Sequence, residues 1–137
     1  MADSLLESSA VDELQSVCRT AVGDELRSIT YYTSEGVEQV YLRSDLGRTA
    51  DLVGFAELER AGFRAQNLYR NSQLGEYRAT VRMFEHGYLT RVIDDDREHG
   101  VWVTTDSLSM ERFEELSAAL KPVLREISLE SEAESEA

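Results

Sequence analysis

Between Tyr77 and Thr105 three stretches of alternating residues follow one another with very little between them. In "YRATVRMFE", Tyr77, Ala79, Val81 and Met83 alternate with Arg78, Thr80 and Arg82. "YLTRVID" (88–94) comes next and "VWVTT" (101–105) last. A period of two marks a strand with one buried and one polar face. Parallel neighbours need a crossover of a dozen or more residues, whereas antiparallel neighbours close with a short turn. The tight links therefore predict an antiparallel meander.

Both links contain the same tripeptide, Glu85-His86-Gly87 and Glu98-His99-Gly100, and these hold the only two histidines of the chain. Gly87 and Gly100 suit turns because glycine adopts positive φ without steric cost. With Asp94, Asp95 and Asp96 between them, the two histidines invite a metal reading. The meander argues against it. Consecutive turns lie at opposite ends of the middle strand, on the order of 20 Å apart, whereas two histidines on one ion each stand about 2 Å from it. "DDDREHG" also lacks the ligand spacing and closing Glu of a calcium loop, and reads as a solvated acidic turn. A proton switch needs a histidine in a polar, partly buried setting, which a turn tip does not offer.

The rest of the chain supplies helices and a hairpin. Residues 1–8 read as a frayed, flexible N-terminus. Ser9 is placed to cap a helix carrying Val11, Leu14, Val17, Cys18, Ala21 and Val22 at helical spacing, and Gly23 fits its end. "SITYYT" (28–33), "SEG" and "VEQVYLR" (37–43) read as a β-hairpin. Tyr31 and Tyr32 point to opposite faces of its first strand, so one of them faces away from the main core, a position suited to an interface anchor. After a loop over 44–49, Thr49 can cap a helix over about 50–62 with Leu52, Val53, Phe55, Ala56, Leu58 and Ala61 on its apolar face. Residues 63–75 read as a further helical piece or an ordered loop. Ser107 or Ser109 caps a last helix through Met110, Phe113, Leu116, Leu120, Val123, Leu124 and Ile127, which Pro122 should kink or split. "SLESEAESEA" (128–137) is acidic and poor in apolar residues, a composition that predicts a disordered tail. The fold class is α+β: one domain over 9–127, a single five-stranded antiparallel sheet with helices packed on it, in the order α-β-β-α-β-β-β-α.

This order resembles the Roadblock/LC7 fold and its profilin-like and longin-like relatives over roughly residues 9–127. The resemblance is one of topology. It implies a homodimer formed through the central helix and the strand after it, here about 50–62 and 77–85, with Phe55, Leu58 and Gly62 on the dimer surface. It also implies a regulator or scaffold of small GTPases and motors, with a small GTPase or another regulator as protein partner and no catalytic site of its own. The stretch over 62–75 departs from the family, being longer than a simple link from helix to strand.

Charge narrows the partners. The chain carries 27 acidic and 14 basic residues, a formal net charge of -13. Such a surface repels phosphate, which argues against nucleic acid and anionic membranes. Lys121 is the only lysine. Abundant carboxylate with almost no lysine resembles the proteins of haloarchaea, which work in molar salt, where the Debye length is about 3 Å and self-repulsion is screened. No run of 18 apolar residues is present and "MADSLLESSA" has neither a basic segment nor an apolar core, so the sequence predicts a cytoplasmic protein without a membrane span or signal peptide.

Catalytic patterns are missing. Cys18 falls on the apolar side of its helix, away from any histidine partner. No nucleophile elbow, glycine-rich phosphate loop or zinc spacing occurs, so no catalytic, cofactor or metal residue is assigned. One polar patch stands out: Arg78 and Arg82 on one side of their strand with Tyr77 beside them, flanked by Arg64 and Arg70, a group fit to contact an anion or an acidic partner. Three readings follow. The first is a non-catalytic regulatory homodimer. The second is a small-anion or metabolite sensor using Arg78, Arg82 and Tyr77. The third is an enzyme using carboxylate or histidine chemistry over 85–99.

Overall fold

The structure is a computed structural model that describes residues 5–47, 72–94 and 98–136, with 128–136 as backbone alone. Its elements are α1 (Ser8–Val22), a 3-10 turn (Gly23–Glu25), β1 (Leu26–Thr33), β2 (Val37–Leu42), β3 (Thr80–Phe84), β4 (Gly87–Asp94), β5 (His99–Thr105) and α2 (Met110–Glu136). The strands form one sheet in the order β2-β1-β5-β4-β3, every neighbouring pair antiparallel. The α+β class and the single five-stranded antiparallel sheet are therefore as the alternation predicts. β2 and β3 are the two edges, so the chain from one to the other joins opposite sides of the sheet. The helix expected over about 50–62 lies outside the described residues.

Alternation sends side chains to two faces. Ile29, Tyr31, Val92, Val101 and Val103 meet Leu14, Cys18 and Val22 of α1 and Leu116, Leu120 and Leu124 of α2 in the main core. Each of these aliphatic side chains, fully buried, contributes roughly 1.5–3 kcal/mol. Tyr32, Leu89, Ile93 and Trp102 form a second cluster on the opposite face, all fully buried, with the Tyr32 and Trp102 rings 5.1 Å apart. Tyr31 and Tyr32 do take opposite faces, but both are buried, so neither is the outward anchor that the pattern suggests.

Several ends differ from the sequence reading. Leu6, expected in a frayed segment, is 7% exposed and joins the main core, and α1 starts at Ser8 with Glu7 as its cap residue rather than Ser9. Gly23 closes α1 with φ 61. At α2 the choice falls on Ser109, whose hydroxyl accepts the Arg112 N–H at 3.1 Å. α2 is not split at Pro122. Leu120, Val123 and Leu124 bury both sides of the proline, and Lys121 Nζ donates to the Ile93 carbonyl at 2.9 Å, tying the helix to β4. Its backbone stays helical to Glu136, through the stretch whose composition suggests disorder. Ala and Glu there are good helix formers, and the helix already exists upstream to be extended. Met110, counted on the buried stripe, is 70% exposed because it opens the first turn, ahead of the buried positions.

Candidate interaction edge

The two edges of the sheet differ. β2 is bulged: Ile29 pairs Tyr41 and Thr30 pairs Gln39, leaving Val40 as the extra residue. Gln15 of α1 donates its side-chain N–H to the Val40 carbonyl at 2.8 Å. A bulge and a side chain on the edge carbonyl both hinder a further strand. β3 pairs β4 in regular register from Thr80↔Arg91 to Phe84↔Gly87, with no bulge. Three of its apolar side chains are exposed: Val81 at 42%, Met83 at 77% and Phe84 at 48%. Alternation predicts that Val81 and Met83 lie under a helix. The described helices pack on each other, α1 against β1 and α2 against β4, and β3 lies one strand further out. From Tyr77 to Phe84 the chain has no acidic residue and two arginines, in a protein of net charge -13.

The predicted patch is divided between roles. Arg78 is exposed and Arg82 half-buried. The Tyr77 hydroxyl accepts from Arg91 Nη2 at 2.9 Å, and the Arg91 guanidinium lies 5.9 Å from the Tyr77 ring centre. Thr80 Oγ1 lies 3.4 Å from the same nitrogen. Arg91 is the residue the sequence reading missed. It is 5% exposed, between Leu89 and Ile93 on the face of the second cluster. An Arg flanked two residues away on each side by Leu and Ile is the signal that marks it. Phe55, Leu58, Gly62, Arg64 and Arg70 lie outside the described residues.

The histidines separate as the meander requires, His86 before β4 and His99 after it. His86 is exposed beside Glu85. His99 is not at a turn tip. β5 begins at His99 because Glu98 takes the left-handed turn conformation, φ 45, and His99 pairs Thr33 on one side and Asp94 on the other. The ring is buried, with Tyr31 Oη 2.7 Å from Nδ1 and Asp94 Oδ2 3.4 Å from Nε2. The two glycines serve closeness rather than positive φ. A Cβ on Gly87 would stand 2.6 Å from the Thr105 carbonyl oxygen, and one on Gly100 would stand 2.8 Å from that of Val92. Among the described residues no group of three or more His, Cys, Asp or Glu is placed to hold a metal ion. Burial pushes the Cys18 thiol up to about 12, which suppresses the thiolate a nucleophile needs.

At the other end of the sheet an ion-pair network ties loops together. Arg43 reaches Asp45 at 2.6 Å and Asp106 at 2.5 Å, and Arg27 reaches Asp106 at 3.2 Å. Arg43 holds both carboxyls below their usual range, against the opposing effect of desolvation. This joins the end of β2 to the segment between β5 and α2, and reads as structural. No helix among the described residues is long and apolar enough to cross a membrane.

The comparisons agree with this architecture. Residues 12–125 match a family described as a domain of unknown function, DUF7522, and the chain belongs to it. No curated protein matches it. Among solved structures it is similar to MglB from Myxococcus xanthus, at 15% identity and TM-score 0.56, over 90% of this chain and 96% of that one. It is also similar to a structure described as MglB with tetrameric arrangement, at 14% identity and TM-score 0.66, over 95% of each chain. At such identity the likeness is one of fold, and the fold is Roadblock-like.

Proposed function

We propose that this DUF7522 member is a non-catalytic regulatory module that works as a homodimer, in the manner of Roadblock-like proteins. The observation that carries the reading is the asymmetry of the sheet. One edge is bulged and capped, while the other is regular, apolar and exposed at Val81, Met83 and Phe84. A regular edge strand with unpaired backbone groups is a template for another strand. A second copy fits it, since an isologous contact needs a surface complementary to itself, and the stretch over 77–84 brings no carboxylate of its own to a contact between two chains of charge -13. The Roadblock-like fold further supports a small GTPase or another regulator as the protein partner. Phe55, Leu58 and Gly62 belong to the dimer surface in this reading. The shortage of lysine and the excess of carboxylate support a halophilic, archaeal cytoplasm.

Molar mass by light scattering, in about 2–3 M KCl to screen self-repulsion, tests the dimer. Twice 15.5 kDa is expected. A mass of 15.5 kDa at every concentration defeats the reading. It would turn attention to anion sensing by Arg78, Arg82 and Tyr77, a role for which the Tyr77 hydroxyl, already bonded to Arg91, is less available.

A further inference from the structure

β2 is an edge strand that its composition leaves undefended. Its sequence, VEQVYL, is built mostly of Val, Tyr and Leu, carries one charge, Glu38, and is half-buried throughout. Edges of that kind attract other strands and are commonly blunted by lysine, proline or several charges. Here Glu38 is engaged by the Leu5 N–H. What keeps other strands off β2 is therefore geometry.

At the hairpin end the Thr33 N–H donates to the Gly36 carbonyl, and at the other end the Arg43 N–H donates to that of Arg27. These mark bonded pairs, and bonded and non-bonded pairs alternate along an antiparallel ladder. Counting from either end, Glu38 and Tyr41 direct their N–H and C=O to β1, while Val37, Gln39 and Leu42 direct theirs away from it. In a regular strand outward residues recur at every second position. The bulge at Val40 sets Gln39 and Leu42 three positions apart instead. A regular strand that meets Val37 and Gln39 in register is thus out of register at Leu42. The Val40 carbonyl, at the break, is already occupied, since Gln15 Nε2 donates to it at 2.8 Å from α1.

Without Val40 the outward residues Val37, Gln39 and Leu42 would run at even spacing. Two such strands pair antiparallel about Gln39, with Val37 facing Leu42 and Glu38 facing Tyr41 of the other copy. No two carboxylates then stand opposite each other, an arrangement that would be destabilising.

We propose that Gln15 and the Val40 bulge form an assembly stop: together they keep β2 from accepting a strand of a second copy, and removing them lets copies of this chain associate through β2. A β2 contact added to any contact elsewhere on the chain would build an open-ended array, so the stop holds the protein to a finite assembly. β2 lies at the opposite edge from β3, and the stop acts whether the parent chain is a monomer or a dimer.

The full chain lacking Val40 and carrying Gln15→Ala is compared with the parent by light scattering over a concentration series in molar KCl, and urea unfolding checks that it is folded. It is expected to reach about twice the parent's mass or more, rising with concentration. Adding Leu42→Pro removes an outward N–H and leaves the bonds to β1 intact, and should return the parent's mass. Gln15→Ala alone keeps the bulge and is expected to raise the mass less. A folded deletion variant with the parent's mass at every concentration overturns the stop, and so does association that Leu42→Pro leaves unchanged. If the deletion abolishes cooperative unfolding, Gln15→Ala decides alone, and the parent's mass at the highest concentration overturns the proposal. A parent mass of 15.5 kDa bears on the dimer reading and leaves this comparison as it is.

Discussion

Replacing Gly100 with alanine tests a close approach in the middle of the sheet. The added methyl would lie 2.6 Å from Ile93 Cγ2, 2.8 Å from the Val92 carbonyl oxygen and 3.1 Å from Tyr32 Cζ. The Ile93 side chain can turn. The carbonyl belongs to β4, held between β3 and β5, and the Tyr32 ring is fully buried against Trp102. Relief therefore means displacing backbone in the middle of the sheet. Overfilling a packed site costs about 1–3 kcal/mol, and with two of three neighbours rigid the upper end is expected. For a chain of this size about 3 kcal/mol lowers Tm by roughly 10 °C. Thermal and urea unfolding, followed by circular dichroism, measure it. Gly36→Ala is the control: its Cβ would meet Leu5 Cδ1 at 3.5 Å, an ordinary contact with a flexible side chain. There the effect is expected within about 0.5 kcal/mol, or slightly stabilising. If G100A unfolds with G36A and the parent chain, the close approach of β4 and β5 at Gly100 is wrong.

The ion-pair network gives a pH prediction. The Asp106 carboxyl is held below its ordinary value by Arg43, so its contribution is present above the unfolded value near pH 4 and is lost as pH falls through the lower folded value. Asp106→Asn should flatten the acid end of the stability curve and cost about 1 kcal/mol or less at neutral pH, since exposed pairs are weak; an unchanged acid slope counts against the network. Tyr31→Phe removes the hydroxyl facing His99 Nδ1 and should cost about 1–3 kcal/mol in urea unfolding. Equal stability would mean the contact does not matter. Cys18 should resist maleimide at about pH 8 in the native protein and react once unfolded, because only the thiolate attacks; rapid native labelling would contradict its burial.

The sequence by itself determined the class of fold. Alternation in "YRATVRMFE", "YLTRVID" and "VWVTT" and the shortness of their links left an antiparallel meander, and "SITYYT" with "VEQVYLR" gave the hairpin. These are local properties, since a two-residue period and a turn length constrain the backbone wherever the segment ends up. Separation of the two histidines followed from the same local geometry. What tertiary structure decided is which faces are covered. Val81 and Met83 alternate like core residues, yet they are exposed, because β3 lies beyond β4, the strand α2 packs on. Arg91 and His99 carry polar side chains and are buried, because each falls between strands that supply hydroxyl or carboxylate partners. The two glycines of the repeated tripeptide read as turn residues and proved to be points of close approach, a demand made by neighbours distant in sequence or across a ladder. Burial depends on the order β2-β1-β5-β4-β3, and no window of the sequence contains that order.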